Sequence, residues 1–221
     1  MSLQLHFAPS SAAMAPHILL EELGVPYERV LVDTDARAHK TPAYLKLNPN
    51  GLVPVLVDSA APGGELVLYE SAAICLHLAD THPHAKLMPA LGTPERAHAY
   101  KWLMWLTNTL QATLIVYFYP HRWVDEGNAS GVERLKLHAR DRVDGLIDQL
   151  EAELARHGGP WLLGAEWSAV DAYAFMLCRW TRNFPRPARA LPHINAWQKR
   201  VLARPAVQRM FANEGLKEPW F

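Results

Sequence analysis

Cysteine is scarce in this chain of 221 residues: only Cys75 and Cys178, each in apolar surroundings and without CxxC or CxxH spacing. That excludes a disulfide framework and the usual zinc patterns, and it leaves two reduced, buried thiols as the expectation. The 11 histidines form no ligand cluster, since His82 and His84 flank Pro83 in a turn instead of sharing a helical face, so no metal is expected. A charge of one sign is also lacking. Lys plus Arg and Asp plus Glu number 22 each, and no broad basic field recommends nucleic acid or an anionic membrane as a partner. Charges interrupt every apolar run before bilayer length, and no basic lead-in precedes the first one. The expectation is a soluble, unexported, cytoplasmic protein that meets a small molecule or another protein.

What is present is an apolar half of the composition, 50%, enough for one large core or two small ones. THPHAKLMPALGTPER, residues 81–96, concentrates prolines and a glycine without sustained periodicity and reads as a linker. The expected division is a first domain over 1–84, a linker over 85–92 and a second domain over 93–221. Before the linker, Leu3 to Phe7 and Glu28 to Val32 read as strands around an amphipathic helix from about Met14 to Leu23, which implies a parallel pair. Val53 to Asp58 and Glu65 to Tyr69 flank a Pro-Gly-Gly turn and predict a hairpin, followed by a helix from Ser71. Beyond the linker the texture is helical throughout. Ala139, Val143, Leu146, Ile147, Leu150 and Leu154 make one buried stripe, and further helices are expected over about 94–119, 170–184 and 193–204.

The densest local signal is Asn48-Pro49-Asn50-Gly51-Leu52-Val53-Pro54-Val55-Leu56, where a proline stands at the start of a strand, the one strand position that needs no ladder donor. After the hairpin, Glu70 and Ser71 place an acid and a hydroxyl at a strand-to-helix junction. The N-H groups and partial positive charge of that helix start suit a ligand carboxylate. NPNGLVP followed by LYESAAICLHLAD resembles the glutathione-binding half of the cytosolic glutathione transferases, and the resemblance extends over nearly the whole chain. It implies a thioredoxin-like α/β N-terminal domain and an all-α C-terminal domain, glutathione as co-substrate, a small apolar electrophile as second substrate and a homodimer.

The resemblance also implies roles. His39 and Lys40, placed as in the phi and theta classes, would bear on the glycine carboxylate of glutathione. Val53 would pair its backbone with the cysteinyl unit, a cis Pro54 would fix that geometry, and Glu70 and Ser71 would hold the γ-glutamyl end. Leu52 departs from the usual Gln. Ala12 and Ala13 replace the Cys-Ser of the beta class, which disfavours a mixed disulfide with the enzyme, and no tyrosine stands in the first strand.

The chemistry asks for little. The thiolate is the nucleophile, and a thiol of pKa about 8.5 is only roughly 3% ionised at neutral pH. One hydroxyl donating to the sulfur supplies roughly 1.5 to 3 kcal/mol. Ser10 and Ser11 lie between the first strand and first helix, where a serine commonly caps the helix instead. Ser10 is the candidate activator, because its interval to Ile18 matches the theta- and zeta-like transferases, and Ser11 is the substitute. Trp102, Trp105, Tyr117, Phe118, Tyr119 and Trp123 are expected mainly in the core or an interface, with some facing the second substrate. Ser168 and Asp171 read as a capping box. Besides transfer, a glutathione-dependent isomerase or peroxidase fits the same site, as does a protein of this fold that only binds or regulates.

Overall fold

The computed structural model describes residues 2–221. The chain begins with β1 (Leu3–Phe7), α1 (Met14–Leu23) and β2 (Tyr27–Leu31), with β2 parallel to β1 from Leu3 opposite Tyr27 to Phe7 opposite Leu31. A short helix α2 (Pro42–Leu45) precedes β3 (Val55–Asp58) and β4 (Leu66–Tyr69), an antiparallel hairpin whose first strand also runs antiparallel to β1. The sheet order is β2-β1-β3-β4. Helix α3 (Ser71–Thr81) packs with α1 against the sheet. In β1, Leu3, Leu5 and Phe7 are buried while Gln4 and His6 are half-buried, the period of two that commits one face to the core. Strand β3 opens at Val55, two residues later than its sequence pattern, because Pro54 has no N-H to give the ladder; the Val53-Pro54 peptide is cis.

The remainder of the chain is helical: α4 (Pro94–Trp105), α5 (Ala112–Phe118), α6 (Ala129–His157), α7 (Ala169–Trp180), α8 (Pro192–Leu202) and α9 (Pro205–Asn213). Its only β feature among the described residues is the isolated Trp161–Gly164 bridge. The single helix expected over 94–119 is divided, since Leu106–Gln111 widens into a π-helical stretch between α4 and α5. Helix α9 has no counterpart among the helices expected from the sequence. It restarts directly after the expected helix end, with Pro205 at its first turn, where a missing N-H costs nothing. The buried-stripe helix is α6, capped at its start by Asn128, whose side chain accepts from the Gly131 N-H, and closing on Gly158 at φ 62°.

Helix α7 occupies the centre, with Ala169 through Arg179 all buried, and it touches α1, α3, α4 and α8. Asp171 anchors it. Its carboxylate accepts from the Ser168 N-H at 3.0 Å, the Leu162 N-H at 2.7 Å and Trp197 Nε1 at 2.9 Å. Burial pushes this carboxyl upward and these donors pull it back. Because one continuous core spans α1 and α7, the sheet and the helices meet without a gap, and the loop between β1 and α1 faces the helical half.

Candidate functional site

The two serines of the β1–α1 loop have separate tasks. Ser11 is used by the turn: its Oγ donates to the Ala8 carbonyl at 2.6 Å and accepts from the Ala13 N-H at 3.2 Å, a local serine turn just ahead of α1, whose N-cap position is held by Ala13 without a side-chain cap. Ser10 is held differently. Its φ is 60°, a left-handed conformation that costs a side-chain-bearing residue about 1 to 2 kcal/mol. Its N-H donates to Glu214 Oε2 at 2.8 Å, which pins that conformation, and its Oγ accepts from Arg179 Nη1 at 2.5 Å. The hydroxyl proton of Ser10 has no acceptor among the described residues, so the oxygen accepts one hydrogen bond while the donor is free.

Arg179 lies in the last turn of α7, and Glu214 follows α9 directly. Glu214 also accepts from His17 Nδ1 of α1 at 2.8 Å, with both side chains fully buried. Burial draws the Arg179 guanidinium down to about 10, the like charge of Arg182 adds to the fall, and Glu214 opposes it. Neither Arg179 nor Glu214 carried a sequence signal. Both lie in the helical half, 169 and 204 positions from Ser10.

A cavity of about 650 Å³ opens at this loop. Ser10, Ser11, His39, Leu52 and Val53 line its sheet side. Phe118, Tyr119, Arg122, Trp180 and Arg182 line the helical side. Of the six aromatic residues singled out from sequence, Phe118 and Tyr119 face this cavity. Trp102 is buried, Trp105 packs against it edge to face, Tyr117 stacks on Phe184 and Trp123 is exposed.

Of the six candidate site residues, Ser10, His39 and Val53 share the cavity, and Lys40, Glu70 and Ser71 stand outside its wall. Ser71 adjoins it, its Oγ donating to the Ala12 carbonyl at 2.8 Å. Glu70 is exposed with φ 73°, a strained start for α3. Lys40 Nζ donates to the Asn50 carbonyl at 3.0 Å, and Asn48 Nδ2 and Tyr44 Oη both donate to the Leu52 carbonyl, at 2.8 and 3.0 Å. The loop before Pro54 is thus braced from three sides. The buried Nδ1 of His39 lacks a partner, and burial, with the charges of Lys40 and Arg37, lowers the imidazole below its ordinary value.

The two cysteines are free and fully buried. Burial pushes both thiols upward, Cys178 to about 12, so neither is a ready thiolate. No group of three or more potential metal ligands occurs among the described residues, and no helix there is long and apolar enough to cross a membrane. A larger cleft of about 850 Å³ lies where α3 and α4 are joined, but its Arg96 and Asp80 pair with each other at 2.6 Å, and the strained serine loop is elsewhere.

Comparison with known proteins gives the geometry a context. The glutathione S-transferase N-terminal domain matches residues 9–81 and the glutathione S-transferase C-terminal domain residues 106–205. Glutathione S-transferase GST-4.5 of Xanthomonas campestris is 30% identical, over 97% of this chain and 100% of the relative. Disulfide-bond oxidoreductase YfcG of Escherichia coli is 30% identical over 92% of both chains. Among solved structures, a glutathione transferase homolog from Sulfitobacter with bound glutathione superposes with a TM-score of 0.86 at 27% identity, covering 98% of this chain and 100% of that one. A beta-class transferase from Sphingomonas chungbukensis reaches 0.81 at 30% identity, covering 97% and 100%. With a thioredoxin-like sheet domain followed by a helical domain, and matches to both halves, the chain belongs to the glutathione S-transferase family.

Proposed function

We propose that the protein binds glutathione along the sheet side of the cavity and transfers it to a small electrophile held against the helical side. The observation that carries this reading is the state of Ser10: its oxygen accepts from Arg179, so its proton is available to a sulfur anion beside the loop. A hydroxyl that accepts from a cation is polarised toward donation. Ser10 would lower the pKa of the bound thiol, and His39 and Lys40 would meet the glycine carboxylate. The Val53 backbone would align the cysteinyl unit, with Glu70, Ser71 and the first N-H groups of α3 at the γ-glutamyl end. The thiolate then attacks the electrophilic atom and the leaving group departs with its electron pair. Action in the cytoplasm as a homodimer completes the reading.

A second reading, glutathione-dependent reduction of a disulfide, is favoured by the similarity to the YfcG oxidoreductase. There the same thiolate attacks one sulfur of the disulfide, the other sulfur leaves as a thiolate and a mixed disulfide with glutathione forms. An isomerase, a peroxidase or a non-catalytic binding protein would use the same groove. Titration of glutathione, with the ultraviolet absorbance of its thiolate followed against pH, tests the common premise. A bound thiol that ionises no more readily than free glutathione would refute it. Product analysis with a haloaromatic and with a low-molecular-weight disulfide then separates the two readings.

A further inference from the structure

The helical wall of the cavity carries positive charge that forms no ion pair among the described residues. Arg122 and Arg182 both line it, and no Asp or Glu does. Eight ion pairs are formed among the described residues, and neither arginine takes part in any of them. Arg182 is half-buried, and its guanidinium makes one long hydrogen bond, to the Arg179 carbonyl at 3.3 Å. The Arg122 guanidinium lies over the Tyr119 ring at 4.1 Å, an arrangement that orients the fork without neutralising it. The next charge inward is another cation, Arg179, and its neighbouring carboxylate, Glu214, is already engaged by Ser10 and His17.

A partly desolvated guanidinium without a counter-ion is unfavourable unless an anion completes it, and its planar donor fork matches a carboxylate. Phe118 and Tyr119, 41% and 40% accessible, with Trp180 set edge to face against Phe118, give the same cavity an aromatic wall. In the proposed transfer, the two carboxylates of glutathione are taken by His39 with Lys40 and by the start of α3, which leaves the arginines to the other reactant. We infer that the second substrate is an aromatic or similarly flat apolar electrophile bearing a carboxylate, recognised by Arg182 and, at the rim, by Arg122. This narrows the apolar class expected from sequence, and it rests on the transfer reading for the identity of the partner reactant.

The test uses matched probes. A dinitrobenzoate and the corresponding uncharged dinitrobenzamide, neither able to react, are titrated into the protein with and without saturating glutathione, with quenching of tryptophan fluorescence as the readout. The acid is expected to bind about tenfold more tightly than the amide, and R182Q should bring the ratio near one through loss of affinity for the acid. R122Q should lower it less, because Arg122 is the more exposed. The reactive pair, chlorodinitrobenzoate and chlorodinitrobenzamide, should show the same preference in kcat/KM, the glutathione sulfur bonding to the ring carbon as chloride leaves with the electron pair. Equal binding of acid and amide by the unaltered protein would overturn the inference. So would an R182Q protein that keeps the acid preference but loses glutathione, since Arg182 would then serve glutathione itself. A protein that prefers the acid yet fails to bind glutathione would support the anion site and sink the transfer reading alone.

Discussion

Arg179 Nη1 donates to Ser10 Oγ at 2.5 Å, joining the last turn of the central helix to the loop that follows the first strand. The bond fixes where the serine proton can go. If Ser10 donates to the glutathione sulfur, Ser10→Ala removes a hydrogen bond to a charged group, about 1.5 to 3 kcal/mol, and the pKa of the bound thiol should rise by about one to two pH units. Arg179→Gln should produce a smaller rise, because the hydroxyl remains but loses its orientation. The double variant should ionise the thiol no less readily than Ser10→Ala alone, since both changes act through one atom. A titration in which the two effects add would show that Arg179 acts on the sulfur independently of Ser10.

Glu214 is 7% exposed and ties three elements together through the Ser10 N-H and His17 Nδ1. Glu214→Ala strips a buried histidine of its partner and leaves the left-handed Ser10 without its acceptor. Losses of about 3 kcal/mol are usual when one side of a buried polar pair is removed. Urea unfolding should show a lower midpoint with an unchanged slope. Activity at temperatures where the variant stays folded should fall as well, since the Ser10 conformation depends on this contact. A variant that loses stability but retains the thiol pKa would confine Glu214 to folding.

The parts legible in the sequence were those governed by neighbours along the chain. Alternation in Leu3 to Phe7 gave the first strand, Pro54 marked a strand start, and Ser168 with Asp171 announced the entry to α7. Local chemistry also divided the serines, but only once Ser11 could be seen bonded to Ala8 and Ala13. Arg179 and Glu214 stayed hidden because their meaning depends on a loop at the other end of the chain. The π-helical Leu106–Gln111 was hidden for another reason: its apolar spacing fits an ordinary helix, and Tyr173 Oη donating to Gln111 is a tertiary contact. The arginines of the cavity wall read as ordinary surface charge until the fold showed that no carboxylate accompanies them.

The unpartnered, partly buried His39 gives a pH prediction. In the free protein, burial first and then Lys40 and Arg37 hold its pKa below the ordinary 6.5, so it is neutral at pH 7. A bound carboxylate favours the imidazolium and raises that pKa. At His39, binding of glutathione therefore takes up a proton, and this contribution to the affinity should increase as pH falls through the bound-state value, by at most about tenfold per pH unit, levelling off below the free-state value. His39→Gln should keep some affinity and lose this dependence. Isothermal titration in buffers of different ionisation enthalpy measures the net proton exchange, the release from the glutathione thiol being common to both proteins, and an exchange that is the same in the native protein and in His39→Gln would remove His39 from contact with the ligand carboxylate.

Gly51 tests whether the braced loop matters for binding or only for folding. At φ 58° it sits in the left-handed region, and a Cβ there would lie 2.8 Å from the His39 carbonyl oxygen and 2.8 Å from Lys40 Nζ. The lysine end can swing away, but the backbone carbonyl cannot without moving His39. Gly24, at φ 63°, has nothing within 4 Å of the same imaginary atom. Gly24→Ala therefore isolates the backbone strain, about 1 to 2 kcal/mol, and should leave the glutathione affinity as it was. Gly51→Ala carries that strain plus the collision, so its melting temperature should drop further and its glutathione dissociation constant should rise severalfold. Equal affinities in the two variants would mean that the turn bearing His39 and Lys40 can shift without consequence, and the glycine carboxylate of glutathione would then have to be held elsewhere.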